Sequence, residues 1–89
     1  MEKQIIYSGR VQGVGFRYSV KRLAEGYEVA GWVRNLPDGR VELRIRGEDE
    51  EVRNFLDAVA AGELRGFIRE QQEGSVGPDE GCTGFAIHH

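Results

Sequence analysis

The 89-residue chain has one cysteine and two histidines, and the histidines stand side by side at its C-terminal end. A single cysteine excludes an internal disulfide. Cys82 has no basic neighbour to activate its thiol, so we expect an ordinary surface or strand-start residue. His88 and His89 would point to opposite sides of a strand, which makes a poor chelate, and we expect a frayed terminus or a tag remnant. The sequence therefore predicts neither a catalytic thiol nor a metal site.

Excess basic charge and long apolar runs are also missing. Lysine and arginine total 12 against 15 acidic residues, a net charge of −3, whereas nucleic-acid-binding domains are usually clearly basic. No apolar run approaches the ~20 residues of a membrane span, and the N-terminus lacks an apolar signal-peptide core. We therefore expect a cytoplasmic monomer with no nucleic-acid or membrane partner. The length predicts one domain, residues 1–89, with a single core.

Glycine, in contrast, is concentrated in the stretch GRVQGVGFR at residues 9–17. An apolar run precedes it, and the apolar spacing of a helix begins at Phe16. A glycine-rich loop that opens a helix aims unpaired N–H groups at one spot, where the helix dipole favours an anion. Arg17 adds a planar set of donors suited to phosphate or carboxylate oxygens. The residues alone fit either an oxyanion cradle or a plain strand-to-helix turn with a solvated arginine.

Two common classes of phosphate-binding loop do not fit this stretch. A Walker loop needs Gly-Lys-Ser/Thr after its last glycine, but this loop ends Gly-Phe-Arg. A dinucleotide fingerprint needs a third glycine at the position that Tyr18 occupies. The loop therefore belongs to neither class.

The apolar pattern predicts two helices and five strands. The predicted strands are 3–8, 27–35, 40–47, a weak 64–72 and a short 83–88. The first predicted helix is 16–23, and Gly26 should end it in a left-handed conformation. The second helix runs from the acidic run 48–51 to Gly62, and residues 73–84 are predicted to form a loop. Val41, Leu43 and Ile45 should face the core, with Glu42, Arg44 and Arg46 on a solvated face. Alternation favours Ile5 and Tyr7 on the core face of the first strand, although the adjacent Ile6 leaves its register open by one residue. Residues 36–39 form a turn signal that makes a hairpin, with Asn35 just before the turn.

Each predicted helix has one apolar face, so both must cover one face of an antiparallel sheet. Right-handed crossovers then favour one arrangement. It is an α+β, ferredoxin-like split βαββαβ sandwich, with one mostly antiparallel sheet of four to five strands and two helices on one face.

Residues 9–17 and the stretch GWVRNLPDGRVE at 31–42 resemble the signature motifs of the acylphosphatases. Chain length, element order and the closing residues 85–87 also fit this family. The resemblance implies a ferredoxin-like fold and a metal-independent acylphosphatase, without a cofactor, that acts on small acyl phosphates of the acetyl, carbamoyl or 1,3-bisphosphoglycerate type. Residues 61–66 lack the Gly-Pro step that the family often has, and 63–81 match poorly, which leaves the register of the fourth strand open.

The resemblance also implies the roles of individual residues. Arg17 would bind the phosphate, and the N–H groups of Gly13, Val14, Gly15 and Phe16 would complete its cradle. Asn35 would orient the attacking water, although by spacing alone it is an ordinary turn residue. Such a site needs no general acid, because the leaving carboxylate is a weak base. The barrier lies in aligning water with an anionic phosphoryl group.

Other functions remain open from the sequence. The same scaffold could be a non-catalytic module that binds or senses a phosphate or carboxylate. It could also be the acylphosphatase-like part of a carbamoyl-transfer maturation protein, but the start at Met1 and the end soon after the last strand favour a free-standing enzyme. A single-stranded RNA binder is disfavoured by the acidic net charge and by the missing aromatic pair on the central strands.

Overall fold

A computed structural model describes residues 1–75 and 84–88, so Cys82 and His89 lie outside the described residues. The strands are β1 (Glu2–Gly9), β2 (Val29–Asn35), β3 (Val41–Gly47), β4 (Ile68–Ser75) and β5 (Phe85–His88); the helices are α1 (Phe16–Ala24) and α2 (Asp49–Ala61). The sheet order is β4-β1-β3-β2-β5, with β5 parallel to β2 and the other pairs antiparallel. This arrangement confirms the predicted α+β ferredoxin-like fold. No helix in the described ranges is long and apolar enough to cross a membrane.

The core lies between one face of the sheet and both helices. Its buried residues come from β1 (Ile5, Tyr7), β3 (Val41, Leu43, Ile45), α1 (Phe16, Val20, Ala24) and α2 (Val52, Phe55, Val59), among others. The Tyr7 and Phe16 rings meet with centroids 5.3 Å apart, which joins the end of β1 to the start of α1. Burial, and then the charge of Glu73, raises the pKa of the Tyr7 hydroxyl. The predicted core-facing residues of β1 and β3 are confirmed.

The opposite face of the sheet is less solvated than its sequence predicts. Glu42 is only 6% exposed, although alternation along β3 placed it in solvent. Its carboxylate accepts hydrogen bonds from Arg34 Nε at 2.7 Å and from the Gln4 side chain, on the two flanking strands. The prediction was wrong because side chains of the two neighbouring strands pair with this carboxylate.

The fourth strand also differs from the prediction. Leu64 is buried, and the next residues form a short 3₁₀ turn, Arg65–Phe67. β4 then runs to Ser75 and so includes residues predicted as a loop. It pairs with β1 from Lys3–Ser75 to Gly9–Ile68, with a register shift at Ser8 and Gly9. A polar edge strand of this kind depends on backbone pairing and lacks the apolar alternation that marks a strand in sequence.

Three smaller predictions were also wrong. β2 begins at Val29, two residues later than predicted. Gly26 is not left-handed, because α1 ends through Glu25 in the right-handed helical region. His88 is not frayed: it pairs with Arg34 in β5, and its ring stacks on Trp32 with centroids 5.1 Å apart. The strand limits depend on pairing with distant residues, whereas α1 ends through local hydrogen bonds such as that from Gly26 N–H to the Leu23 carbonyl.

Candidate active site

The loop between β1 and α1 presents the start of the helix without a capping side chain. Gly13 and Gly15 both have φ of 77°, the left-handed region that glycine enters without strain. Gly15 is the N-cap, and Ser19 N–H donates to its carbonyl at 2.9 Å as the helix begins. The first turn of α1 contains no acidic residue. Its N–H groups lack intrahelical partners, so this end favours an anion.

Gln12 ties this loop to the hairpin that connects β2 and β3. Its side-chain Nε2 donates to the carbonyls of Leu36 at 2.8 Å and Arg40 at 2.9 Å. Leu36 N–H also donates to the Arg40 carbonyl at 2.8 Å, which closes the turn. Asn35 is the residue before this turn. Gln12 therefore fixes the distance between the glycine-rich loop and Asn35, a role that the sequence analysis missed.

Asp38 stabilises the same turn from its outer side. Its carboxylate accepts the Arg40 backbone N–H at 3.1 Å and the Arg40 Nε–H at 2.7 Å. The backbone hydrogen bond chiefly, and the Arg40 side chain in addition, lowers the pKa of this carboxyl. Asp38 is therefore ionised at neutral pH, and its support for the turn is lost only as the pH falls through that lowered pKa.

A cavity of about 230 Å³ lies where the loop, α1 and the end of β2 meet. It is lined by Val11, Gly13, Gly15, Phe16, Arg17, Tyr18, Asn35 and Ile87. Of these described residues, only Arg17 is charged. The structure thus brings together all the predicted site residues except Val14, whose side chain packs against the core. The cavity is large enough for a small anionic ligand.

Arg17 is half-buried and is held by the last strand. Its Nη1 donates to the His88 carbonyl at 3.2 Å, a contact between residues 71 positions apart. The His88 ring is stacked on Trp32, and the Arg34 guanidinium lies 5.2 Å from the centre of the Trp32 ring. β5 therefore restricts where the Arg17 guanidinium can lie. Local sequence patterns gave no sign of this contact.

A larger cavity lies at the other end of the sheet. Its volume is about 650 Å³, and it is lined by the start of β1 and β2 and the end of β3. None of the predicted site residues lines it. Within residues 1–75 and 84–88, no group of three or more His, Cys, Asp or Glu side chains could hold a metal ion. The smaller cavity is therefore the candidate active site.

Comparisons with known proteins agree with this geometry. The sequence model of the acylphosphatase family matches residues 3–87. An acylphosphatase from Bacillus licheniformis is 48% identical over 62 residues, which cover 70% of this chain and 69% of the relative. The crystal structure of acylphosphatase from Bacillus subtilis superposes with a TM-score of 0.88 at 38% identity, covering 99% of this chain and 98% of that one. HypF of T. kodakarensis contains a similar fold, with a TM-score of 0.85 at 26% identity. The superposition covers 100% of this chain and 12% of the HypF chain. The chain belongs to the acylphosphatase family.

Proposed function

We propose that the protein hydrolyses small acyl phosphates to a carboxylate and inorganic phosphate. The observation that carries this proposal is the single cavity lined by Arg17, Asn35 and the start of α1. The names of the relatives support the same reaction.

In the proposed reaction, the oxygen of a water molecule attacks phosphorus, and the bond from phosphorus to the acyl oxygen breaks. The acyl group leaves as a carboxylate, which needs no proton from the enzyme because it is a weak base. Both protons of the water remain with the phosphate product. A dianionic acyl phosphate thus gives a monoanionic carboxylate and dihydrogen phosphate, so atoms and charge balance.

Each site residue has a proposed part in this step. The N–H groups at Gly13, Val14, Gly15 and Phe16 bind phosphoryl oxygens, and the guanidinium of Arg17 neutralises their charge. The Asn35 carboxamide binds the attacking water and aligns it with the bond that breaks. This arrangement supplies positioning and electrostatic stabilisation, the two demands of phosphoryl transfer. The carboxamide has no charge to repel the anionic substrate.

The direct test is hydrolysis of benzoyl phosphate in excess EDTA. We expect saturable turnover that is unchanged by EDTA and by later addition of Mg²⁺, because the proposed site uses only N–H groups, a guanidinium and a carboxamide. Absence of turnover by folded protein would overturn the proposed activity. Turnover that is lost in EDTA and recovered with Mg²⁺ would overturn its metal independence.

A second prediction concerns Gln12. The Gln12→Ala variant should lose about 1–3 kcal/mol of stability, since it removes two hydrogen bonds worth about 0.5–1.5 kcal/mol each. We also expect kcat to fall between about 10- and 100-fold, because Asn35 is no longer held at a fixed distance from the loop. Denaturant unfolding and steady-state kinetics measure the two effects.

Gln71→Ala is the matched control, since Gln71 is an exposed glutamine on β4. It should change neither quantity. A Gln12→Ala enzyme that is destabilised but turns over at the normal rate would show that Gln12 has no part in positioning Asn35.

The second candidate function is a non-catalytic module that binds a phosphate or carboxylate. The similar fold in HypF shows that this scaffold also occurs as one part of a longer protein. Binding of inorganic phosphate without turnover of any acyl phosphate would select this candidate. In either case we propose that the protein binds a small-molecule anion. We also propose that it is a cytoplasmic monomer, and gel filtration tests the monomeric state.

A further inference from the structure

Tyr18 is the one large apolar side chain that is strongly exposed among the described residues, at 62%. A single exposed aromatic residue is unremarkable by itself. Tyr18, however, follows Arg17 in the first turn of α1 and lines the 230 Å³ cavity. Tyr18 is therefore an exposed residue at the candidate active site.

The other side chains of the cavity divide into two chemical kinds. Arg17 and Asn35 are polar and, with the N–H groups of the loop, account for the proposed binding of phosphate and water. Val11, Phe16 and Ile87 are apolar and come from the loop, the helix and β5. Val11 and Phe16 are buried in the core, so the accessible apolar wall of the cavity consists of the half-buried Ile87 and the exposed Tyr18, and the proposed hydrolysis does not use it.

We propose that Tyr18 contacts the acyl group of the substrate and gives the enzyme a preference for acyl phosphates with apolar, above all aromatic, acyl groups. This inference rests on the proposed function, because it concerns the acyl group of the same substrate, which the phosphate cradle does not contact. Tyr18 is then a specificity-determining residue and takes no part in breaking the bond.

The physical basis is the contact between the Tyr18 ring and the acyl substituent. Aromatic pairs gain about 0.5–1.5 kcal/mol beyond simple burial, equivalent to roughly a 2- to 13-fold change in affinity. A tyrosine also loses little conformational freedom when it forms such a contact, since it has two side-chain torsions. An acetyl group offers one methyl to this wall, whereas a benzoyl group offers a whole ring.

The test compares kcat/KM for benzoyl phosphate with kcat/KM for acetyl phosphate in one enzyme at a time. For each enzyme, kcat/KM for benzoyl phosphate is divided by kcat/KM for acetyl phosphate. Dividing this ratio for a variant by the ratio for the unaltered enzyme gives a quotient in which the different intrinsic reactivities of the two substrates cancel. We expect Tyr18→Ala to lower this quotient about 3- to 10-fold. Tyr18→Phe keeps the ring and should keep the quotient near one.

Arg22→Ala is the matched control, because Arg22 is an exposed residue one turn further along α1 and does not line this cavity. It should affect both substrates equally. A Tyr18→Ala enzyme that hydrolyses both substrates with an unchanged quotient would overturn the role of Tyr18 and leave the proposed function intact. If the unaltered protein hydrolysed neither substrate, the proposed function would fail first and the inference with it.

Discussion

The Arg17→Ala variant should have a kcat/KM at least about 10³-fold below that of the unaltered enzyme, and its binding of inorganic phosphate should fall below detection. Arginines that stabilise a transferred phosphoryl group elsewhere contribute about 10³- to 10⁵-fold. Initial rates with benzoyl phosphate, and inhibition by inorganic phosphate, measure the two effects.

This large effect is expected because no second cation from residues 1–75 or 84–88 lines the cavity to compensate. Among its described lining residues only Arg17 is charged. As a residue, Arg17 is half-buried. The hydrogen bond from Nη1 to the His88 carbonyl also sets its direction, so a free cation in solution should not replace it well.

Two variants test this explanation. Arg17→Lys keeps the charge but loses the planar set of donors, and we expect it to recover only a small part of the lost activity. Arg22→Ala removes an exposed arginine of the same helix outside the cavity and should change kcat/KM less than 2-fold. Normal phosphate inhibition of a folded Arg17→Ala enzyme would contradict the assigned role.

The Asn35→Ala variant should lose about 10²- to 10³-fold in kcat while its inhibition by inorganic phosphate changes by less than about 2-fold. Misplacing a reacting group by about 1 Å can lower a rate about 10²-fold, and losing one preorganised hydrogen-bonding group has a similar effect. The phosphate cradle remains intact in this variant, because Asn35 contributes neither the loop N–H groups nor the guanidinium. A lower kcat with unchanged phosphate binding is the result that identifies a water-positioning residue.

Asn54→Ala is the control for this experiment, since Asn54 is an exposed asparagine on α2. It should behave like the unaltered enzyme. If Asn35→Ala lost phosphate binding and turnover together, Asn35 would be a phosphate ligand and not a water-positioning residue. If it turned over normally, Asn35 would have no catalytic role, and the turn at residues 36–39 would be the sufficient reason for an asparagine there.

The sequence by itself determined the elements whose pattern is local. Alternation along β3 predicted the buried positions Val41, Leu43 and Ile45, because side chains of a strand point to opposite faces in turn. The apolar stripe of α1 and the glycine-rich loop before it were predicted at nearly their observed limits. Two signature stretches also predicted the family, which the comparisons confirmed. The roles of Arg17 and Asn35 remain predictions.

Only the tertiary structure decided which distant residues share a contact. Gln12 reaches the carbonyls of Leu36 and Arg40, and Arg17 reaches the carbonyl of His88. Glu42 is buried by side chains of two neighbouring strands, and β4 takes its limits from pairing with β1. The physical reason is common to all of these. Dihedral preference and apolar period are properties of a few consecutive residues, whereas these contacts exist only after distant segments have paired in the sheet.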